Sequence, residues 1–438
     1  MTACAIEAIE PMAEDGFSPR AELAITADGA YAARLARRGD SWFPERWTLD
    51  GPEPYAVPLP GNQPEEPGTQ VLPMGDGRVL IHRPIDGRHT FALLYPTGPG
   101  TGELPLGAVE CPDPGTPLRL LPPAPGGDRA YALAVGRRST TVWLVAGGAF
   151  GPEYVTEVPG RCSGGVWLDR TGRLLALDRE VGGRTKAIVV DLERDGEVSE
   201  LLQISAESND RLLLADADSG LLLIGSDAPS PGGQERLGWG VLGSTLPVRF
   251  PECLRVDGCA LTPFAIQPGQ VLTPESCGVA LRVDGSAGSW VGVWRPSERQ
   301  VRHLPAPEGW LPGAGLWSRD GELQLPYVTG ETPCGVARVR AERSEGNGRH
   351  EGYGGYEGAA GAAGSAACMT SAESQSPSSS FSSPSASPFG VGAAVGPEPV
   401  GPAPVVVARP VPLQQAPLGR LVTKAGKPGN EVTKLVTN

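Results

Sequence analysis

The chain has 438 residues and a formal net charge of −13, with 37 basic against 50 acidic side chains. That balance excludes a protein built to grip a phosphate backbone, which needs a basic face. No run of about 18 apolar residues occurs, so no membrane-spanning helix is expected. Gly (61) and Pro (46) make up about a quarter of the chain, a share that demands either many turns or low complexity.

The first 16 residues, "MTACAIEAIEPMAEDG", carry neither a basic leader nor a long apolar core, so no export signal is expected and the protein is placed in the cytoplasm. The first recognisable element is "AITADGAYAARLARR" (24–38), an apolar run, an Asp-Gly turn and a second run. A lone hairpin is marginal in water. The same unit returns as "MGDGRVLIHR", "PGGDRAYALAV", "DRTGRLLALDR", "ADSGLLLIGS", "ESCGVALRV" and "SRDGELQLPYV". The turns are anchored at Gly29, Gly77, Asp128, Gly172, Gly220, Gly278 and Gly321, spaced 48, 51, 44, 48, 58 and 43 residues apart. Repetition at this period, with strands in each copy, signals a propeller or solenoid.

Each hairpin is followed by a third strand, such as "RWTLD", "TVWLVAG" or "SWVGVWRP". A fourth follows, such as "YVTEVPG" or "LPVRFPE". The predicted fold is therefore all-β: a seven-bladed β-propeller of four-stranded antiparallel blades. Blades stack on both faces, which accounts for continuously apolar strands such as "LLLIGS". The longest interruption, "PECLRVDGCALTPFAIQPG" (251–269), is expected to be a local insertion before the sixth blade, with "QVLTPE" as the strand after it. The seventh unit has only three strands, and "ACAIEAIEP" (3–11) is expected to supply the fourth and close the ring. The propeller is assigned to residues 1–341. Residues 342–438 are rich in Gly, Ala, Ser and Pro, and are expected to form a disordered tail, with 404–424 as a short docking segment.

The "SPRAELAITADGAYAARL" pattern resembles the repeats of TolB-type propellers and of the propeller preceding the catalytic domain in prolyl-oligopeptidase-like enzymes. The resemblance spans about residues 3–341 and implies the fold. It does not carry peptidase chemistry, because no G-x-S-x-G nucleophile elbow occurs. The Trp-Asp signature of WD40 blades is also missing.

Candidate chemistry is sparse. "ADADSG" spaces two carboxylates as in calcium loops but lacks the third and reads as a plain turn. The eight cysteines contain no C-x-x-C; Cys253 and Cys259 are taken as reduced thiols, and no cofactor or metal is expected. The clearest asymmetry lies in the loops. Connections between second and third strands are long and basic, whereas those leading to the next unit are acidic, as in "NQPEEPG" and "AESND". The candidate binding residues on that loop-rich face are Arg37, Arg38, Asp40, His82, Arg83, Asp86, Arg88, His89, Arg137, Arg138, Arg184 and Arg236. Guanidinium forks match carboxylates and phosphates, so a protein partner or a small anionic ligand is expected, on a monomeric, non-catalytic scaffold. Two alternatives stand beside it. One is a lactonase- or lyase-like propeller enzyme using His82, His89 and Arg83; the other is a stand-alone propeller serving a separately encoded peptidase. The scarcity of lysine (four, against 33 arginines) fits a GC-rich bacterial genome.

Overall fold

The structure is a computed structural model that describes residues 23–340 except 114, 231 and 232. The closing strand expected at 3–11, the tail and the 404–424 segment lie outside the described residues. Those described are almost entirely β, with two short 3-10 turns, at Glu252–Leu254 and Pro274–Ser276.

The strands form successive antiparallel meanders. The first holds β1 (Ala24–Ile25), β2 (Tyr31–Arg38), β3 (Ser41–Thr48) and β4 (Tyr55–Pro58); the second β5 (Gln70–Pro73), β6 (Val79–Ile85), β7 (Arg88–Pro96) and β8 (Thr101–Glu110). The third holds β9 (Leu118–Leu120), β10 (Ala130–Val135), β11 (Ser139–Ala146) and β12 (Glu153–Pro159). A seven-stranded sheet follows. It consists of one meander, β13 (Arg161–Trp167), β14 (Leu174–Val181), β15 (Arg184–Asp191) and β16 (Glu197–Leu202), and another, β17 (Asp210–Ala215), β18 (Leu221–Ser226) and β19 (Arg236–Val241). A single parallel pair, Lys186 with Asp210, joins them. Then come β20 (Ala260–Ile266), β21 (Val279–Gly285), β22 (Gly288–Trp294) and β23 (Arg302–Leu304), and finally β24 (Leu316–Trp317), β25 (Glu322–Tyr327) and β26 (Gly335–Arg340).

Two elements depart from the sequence expectation. The fourth strand of the fifth unit, "LPVRFPE", shrinks to one bridge between Trp239 and Arg249. Pro247 and Pro251 flank that bridge and cannot donate to a ladder. In the sixth unit the first strand is Ala260–Ile266, inside the supposed insertion, and "QVLTPE" is not a strand. Pro268 precedes that stretch and Pro274 lies within it, opening a 3-10 turn at the position where its missing N–H costs nothing. Pro263 is accommodated by a register shift between Pro263 and Ala265. The correction moves the long connection to the end of the sheets that carries the other first-to-second turns. Val271 (62% exposed) and Leu272 (90%) project from it.

Apolar clusters lie between consecutive meanders, where both sheet faces are buried. Leu72, Leu80 and Phe91 pack against Leu118, Leu120 and Ala132, and equivalent clusters follow at each later junction. A further cluster joins Leu311, Ala314 and Cys334 of the last meander to Ala32 and Trp47 of the first. Burying each large side chain there contributes roughly 1.5–3 kcal/mol. Polar staples supplement the packing. Gln70 donates to Leu118 O (2.8 Å) and accepts from Leu120 N (3.0 Å), tying the second sheet to the third. Asp178 accepts from Leu212 N (2.9 Å), tying the fourth meander to the fifth. At the turns, Gly75 N donates to Gly127 O (2.8 Å), and a Cβ on Gly127 would lie 2.9 Å from the Gly75 Cα. Gly127, with φ +72°, meets both requirements, the left-handed backbone and the close approach.

Candidate functional site

The candidate residues sit at the end of the sheets formed by the second-to-third connections. Contrary to the expectation of long loops there, four of these are two-residue hairpin turns (39–40, 86–87, 182–183 and 286–287), and the first-to-second connections at the opposite end are longer. At β6–β7, Asp86 and Gly87 adopt φ of 49° and 78°, the left-handed pair of a two-residue turn. Its register pairs Pro84 with His89 and His82 with Phe91, so the two histidines are diagonal neighbours on one face. That face is inward: His82 is 3% exposed and His89 9%. The rings are linked. Thr116 O can only accept, so His89 Nε2 donates to it (3.0 Å), leaving His89 Nδ1 to accept from His82 Nε2 (3.0 Å). His82 Nδ1 then accepts from the Gln70 amide (3.2 Å), whose orientation is fixed by its bonds to the third sheet. All four ring nitrogens are thus used in a directed chain of neutral imidazoles that stacks on Phe91 and joins two sheets. The structure brings His82 and His89 together as a staple rather than as groups presented to solvent.

Five of the eight candidate arginines are held by nearby acids, three of them by acids of the connections to the next meander. Arg83 makes a bidentate bond to Glu65 (2.8 and 2.7 Å) and another to Glu103 (2.8 Å). The Glu65 hydrogen bond, outweighing burial, raises the Arg83 pKa above its ordinary value. Arg88 pairs with Glu110 (2.9 Å), Arg184 with Glu207 (3.3 Å), and Arg236 with Glu252 (2.8 Å). Arg37 donates to Gly39 O (2.8 Å), pairs with Asp40 (3.3 Å) inside its own turn, and lies over Trp42. The charge asymmetry read from sequence is therefore in large part internal, basic hairpins holding acidic connections. Arg38, over the Phe43 ring, and the exposed Arg137 and Arg138 make no ion pair among the described residues.

Buried charge concentrates between the fourth and fifth meanders, which sequence reasoning missed. Lys186 is the one lysine before residue 424. Its Nζ donates to Asp210 (2.7 Å) and Ser205 O (2.5 Å). Asp210 also accepts from Ser208, Ser226 and Ile204 N, so every lone pair of the buried carboxylate faces a donor. The rarity of lysine in this chain was the available signal. Next to it, burial lifts Asp178 to about 6, against the opposing pull of Leu212 N–H and Arg211. Burial likewise raises Glu235.

The opposite end of the sheets carries the first-to-second turns. "ADADSG" is a turn held from within: Asp216 accepts from Ser219 N (2.9 Å) and Ser219 Oγ (2.6 Å). Asp218 bonds Arg170 and accepts from Gly269 N (2.7 Å), joining three consecutive units. Burial works to raise Asp218, but those bonds and the nearby cations hold it below the usual carboxylate range. The six described cysteines are free. Burial pushes Cys162 and Cys277 up to about 11 and Cys334 to about 12, so they stay thiols at neutral pH.

Among solved structures, the chain is similar to a TolB from Agrobacterium tumefaciens at 14% identity, covering 65% of this chain and 90% of that one, with a TM-score of 0.34. It is also similar to prolyl oligopeptidase B from Galerina marginata (13%, 75% and 50%, 0.44) and to the Cps50 (Swd1) β-propeller domain of Myceliophteria thermophila (11%, 73% and 96%, 0.42). The chain thus spans half the length of the oligopeptidase. No protein-family model and no curated protein matches it. The similarity concerns the fold alone, all-β with repeated four-stranded antiparallel sheets.

Proposed function

We propose that the protein is a non-catalytic, monomeric β-propeller scaffold of seven blades that binds a partner protein through its loop-rich end. In this reading residues 3–11 pair with β26 and complete the last blade, leaving no open sheet edge. Two observations support that closure: β26 has no outer neighbour among the described residues, and the last meander already packs on the first through Trp47 and Leu311. Composition, with eight cysteines and no paired motif, supports a cytoplasmic location.

The observation that carries the binding proposal is the partition of the arginines. Arg83, Arg184 and Arg236 hold neighbouring connections and Arg88 a cross-strand acid, whereas Arg38, Arg137 and Arg138 leave three exposed guanidiniums without an acid among the described residues. An acidic surface on a partner satisfies such forks bidentately. The test is affinity capture from native lysate with the parent chain and with Arg38, Arg137 and Arg138 changed together to Ala. The reading requires the parent's partner to be lost from the triple variant. A partner retained in full contradicts this face.

A further inference from the structure

At the rim of the junction between the second and third meanders, apolar side chains stay uncovered. Leu104 on β8 lies opposite Leu93, which is buried against the third meander, so Leu104 (46% exposed) points to that same side. From the other wall, Trp143 on β11 packs on the same buried cluster as Leu106 of β8. Tyr154 on β12, 56% exposed, meets the Trp143 ring edge-on with centroids 5.8 Å apart. The turn between β11 and β12 closes one end of the strip. A Cβ on Gly151 would lie 2.5 Å from Leu106 O, so this turn presses on β8, and its Phe150 is 98% exposed. Large apolar side chains gathered at the surface of a soluble protein mark an interaction site.

Two carboxylates flank the strip. Glu153 and Glu157 are exposed and make no ion pair among the described residues, although Glu153 accepts from Ala149 N (2.8 Å). The matching chemistry is on the same chain. Residues 409–424, outside the described residues, read "RPVPLQQAPLGRLVTK": three prolines, several aliphatic side chains, three basic residues and no acid. Residues 1–341 carry 30 basic against 43 acidic side chains, so the charges are complementary. Proline-rich segments favour an extended form without internal hydrogen bonds, and such segments lie on aromatic-lined surfaces. The chain also leads to the right place. β26 is a third strand like β11, so Arg340 ends it at the end of the sheets that carries the β11–β12 turn. The 68 residues between Arg340 and Arg409 can span up to about 220 Å, so reach is no obstacle.

We propose that residues 409–424 dock along this strip as an internal ligand of the same molecule. Their prolines rest on Phe150 and Tyr154, their aliphatic side chains on Leu104, and their basic groups beside Glu153 and Glu157. The surface is separate from the arginine-bearing end and stands independently of the partner proposal.

The full chain, with p-benzoylphenylalanine in place of Phe150, is irradiated and its cross-linked peptides are identified by mass spectrometry. Mixing 14N- and 15N-labelled chains separates links within one molecule from links between two. The expected result is a link from position 150 to residues 409–424 of the same chain. Arg409→Glu, Arg420→Glu and Lys424→Glu together leave the described residues untouched and should cut the yield about fivefold or more, the loss of several surface charge pairs. Glu157→Lys, a change at an exposed strand position, should lower it as well. The proposal is overturned by links to any other segment, by links that join two molecules, by the absence of any link, or by a yield that the triple charge reversal does not move.

Discussion

Two junctions of the molecule solve one problem with different chemistry. Between the second and third meanders, Gln70, His82 and His89 form a chain of uncharged hydrogen bonds, each donor facing one acceptor. Between the fourth and fifth, the same inter-sheet space holds Lys186, Asp210, Asp178 and Arg211. A neutral chain has little desolvation to recover and loses only the bonds removed. A buried ion pair is held by the mutual presence of its charges, so deleting one partner strands the other. The two junctions should therefore differ in sensitivity to mutation and to pH.

The largest effect is expected at the charged junction. Asp210→Ala strands the Lys186 ammonium and should cost about 3–5 kcal/mol in denaturant-induced unfolding. At the neutral junction, Gln70→Ala removes the bonds to Leu118 O and Leu120 N and should cost about 1–3 kcal/mol by the same measurement. Equal losses at the two sites would break the contrast.

The pH dependence sharpens it. The folded pKa of Asp178 lies at about 6, above its ordinary 3.8. The folded chain therefore holds this proton more tightly, and the stability Asp178 contributes is fully present below 3.8 and lost as pH rises through about 6. Asp191 runs the other way: bidentate bonds from Arg173 (2.8 and 2.5 Å) lower it, so its contribution is present above 3.8 and lost on acidification. Stability against pH for Asp178→Asn should lose the decline between 3.8 and 6, and Asp191→Asn should be less sensitive to acid than the parent. The smallest effect belongs to the exposed loops. Arg137→Ala and Arg138→Ala should each change stability by no more than about 0.5 kcal/mol, while weakening partner capture.

The repeat and its turns were legible because Asp-Gly and related turns are set by backbone geometry, which composition reveals directly. Six of the seven units begin where those turns place them. The sixth was misplaced because "QVLTPE" mimics "QVLPMG" in pattern, and only the positions of Pro268 and Pro274 distinguish turn from strand. The proximity of His82 and His89 was readable from the Asp86–Gly87 turn, since a two-residue hairpin fixes which residues become diagonal neighbours. What they touch was not readable: Gln70 and Thr116 approach only once separate sheets stack. The same holds for the arginines. Residue type predicted basic hairpins and acidic loops, but only the folded spacing shows that Glu65 and Glu103 hold Arg83, and that nothing among the described residues pairs with Arg137.

The proposed closure of the ring by the chain's opening residues is the place to test the account. Amide hydrogen exchange of β26 should be compared between the full chain and a variant lacking residues 1–12. Outward-facing amides of Gly335–Arg340 should be protected in the full chain and exchange freely in the shortened one. Identical exchange in both would contradict closure by residues 3–11.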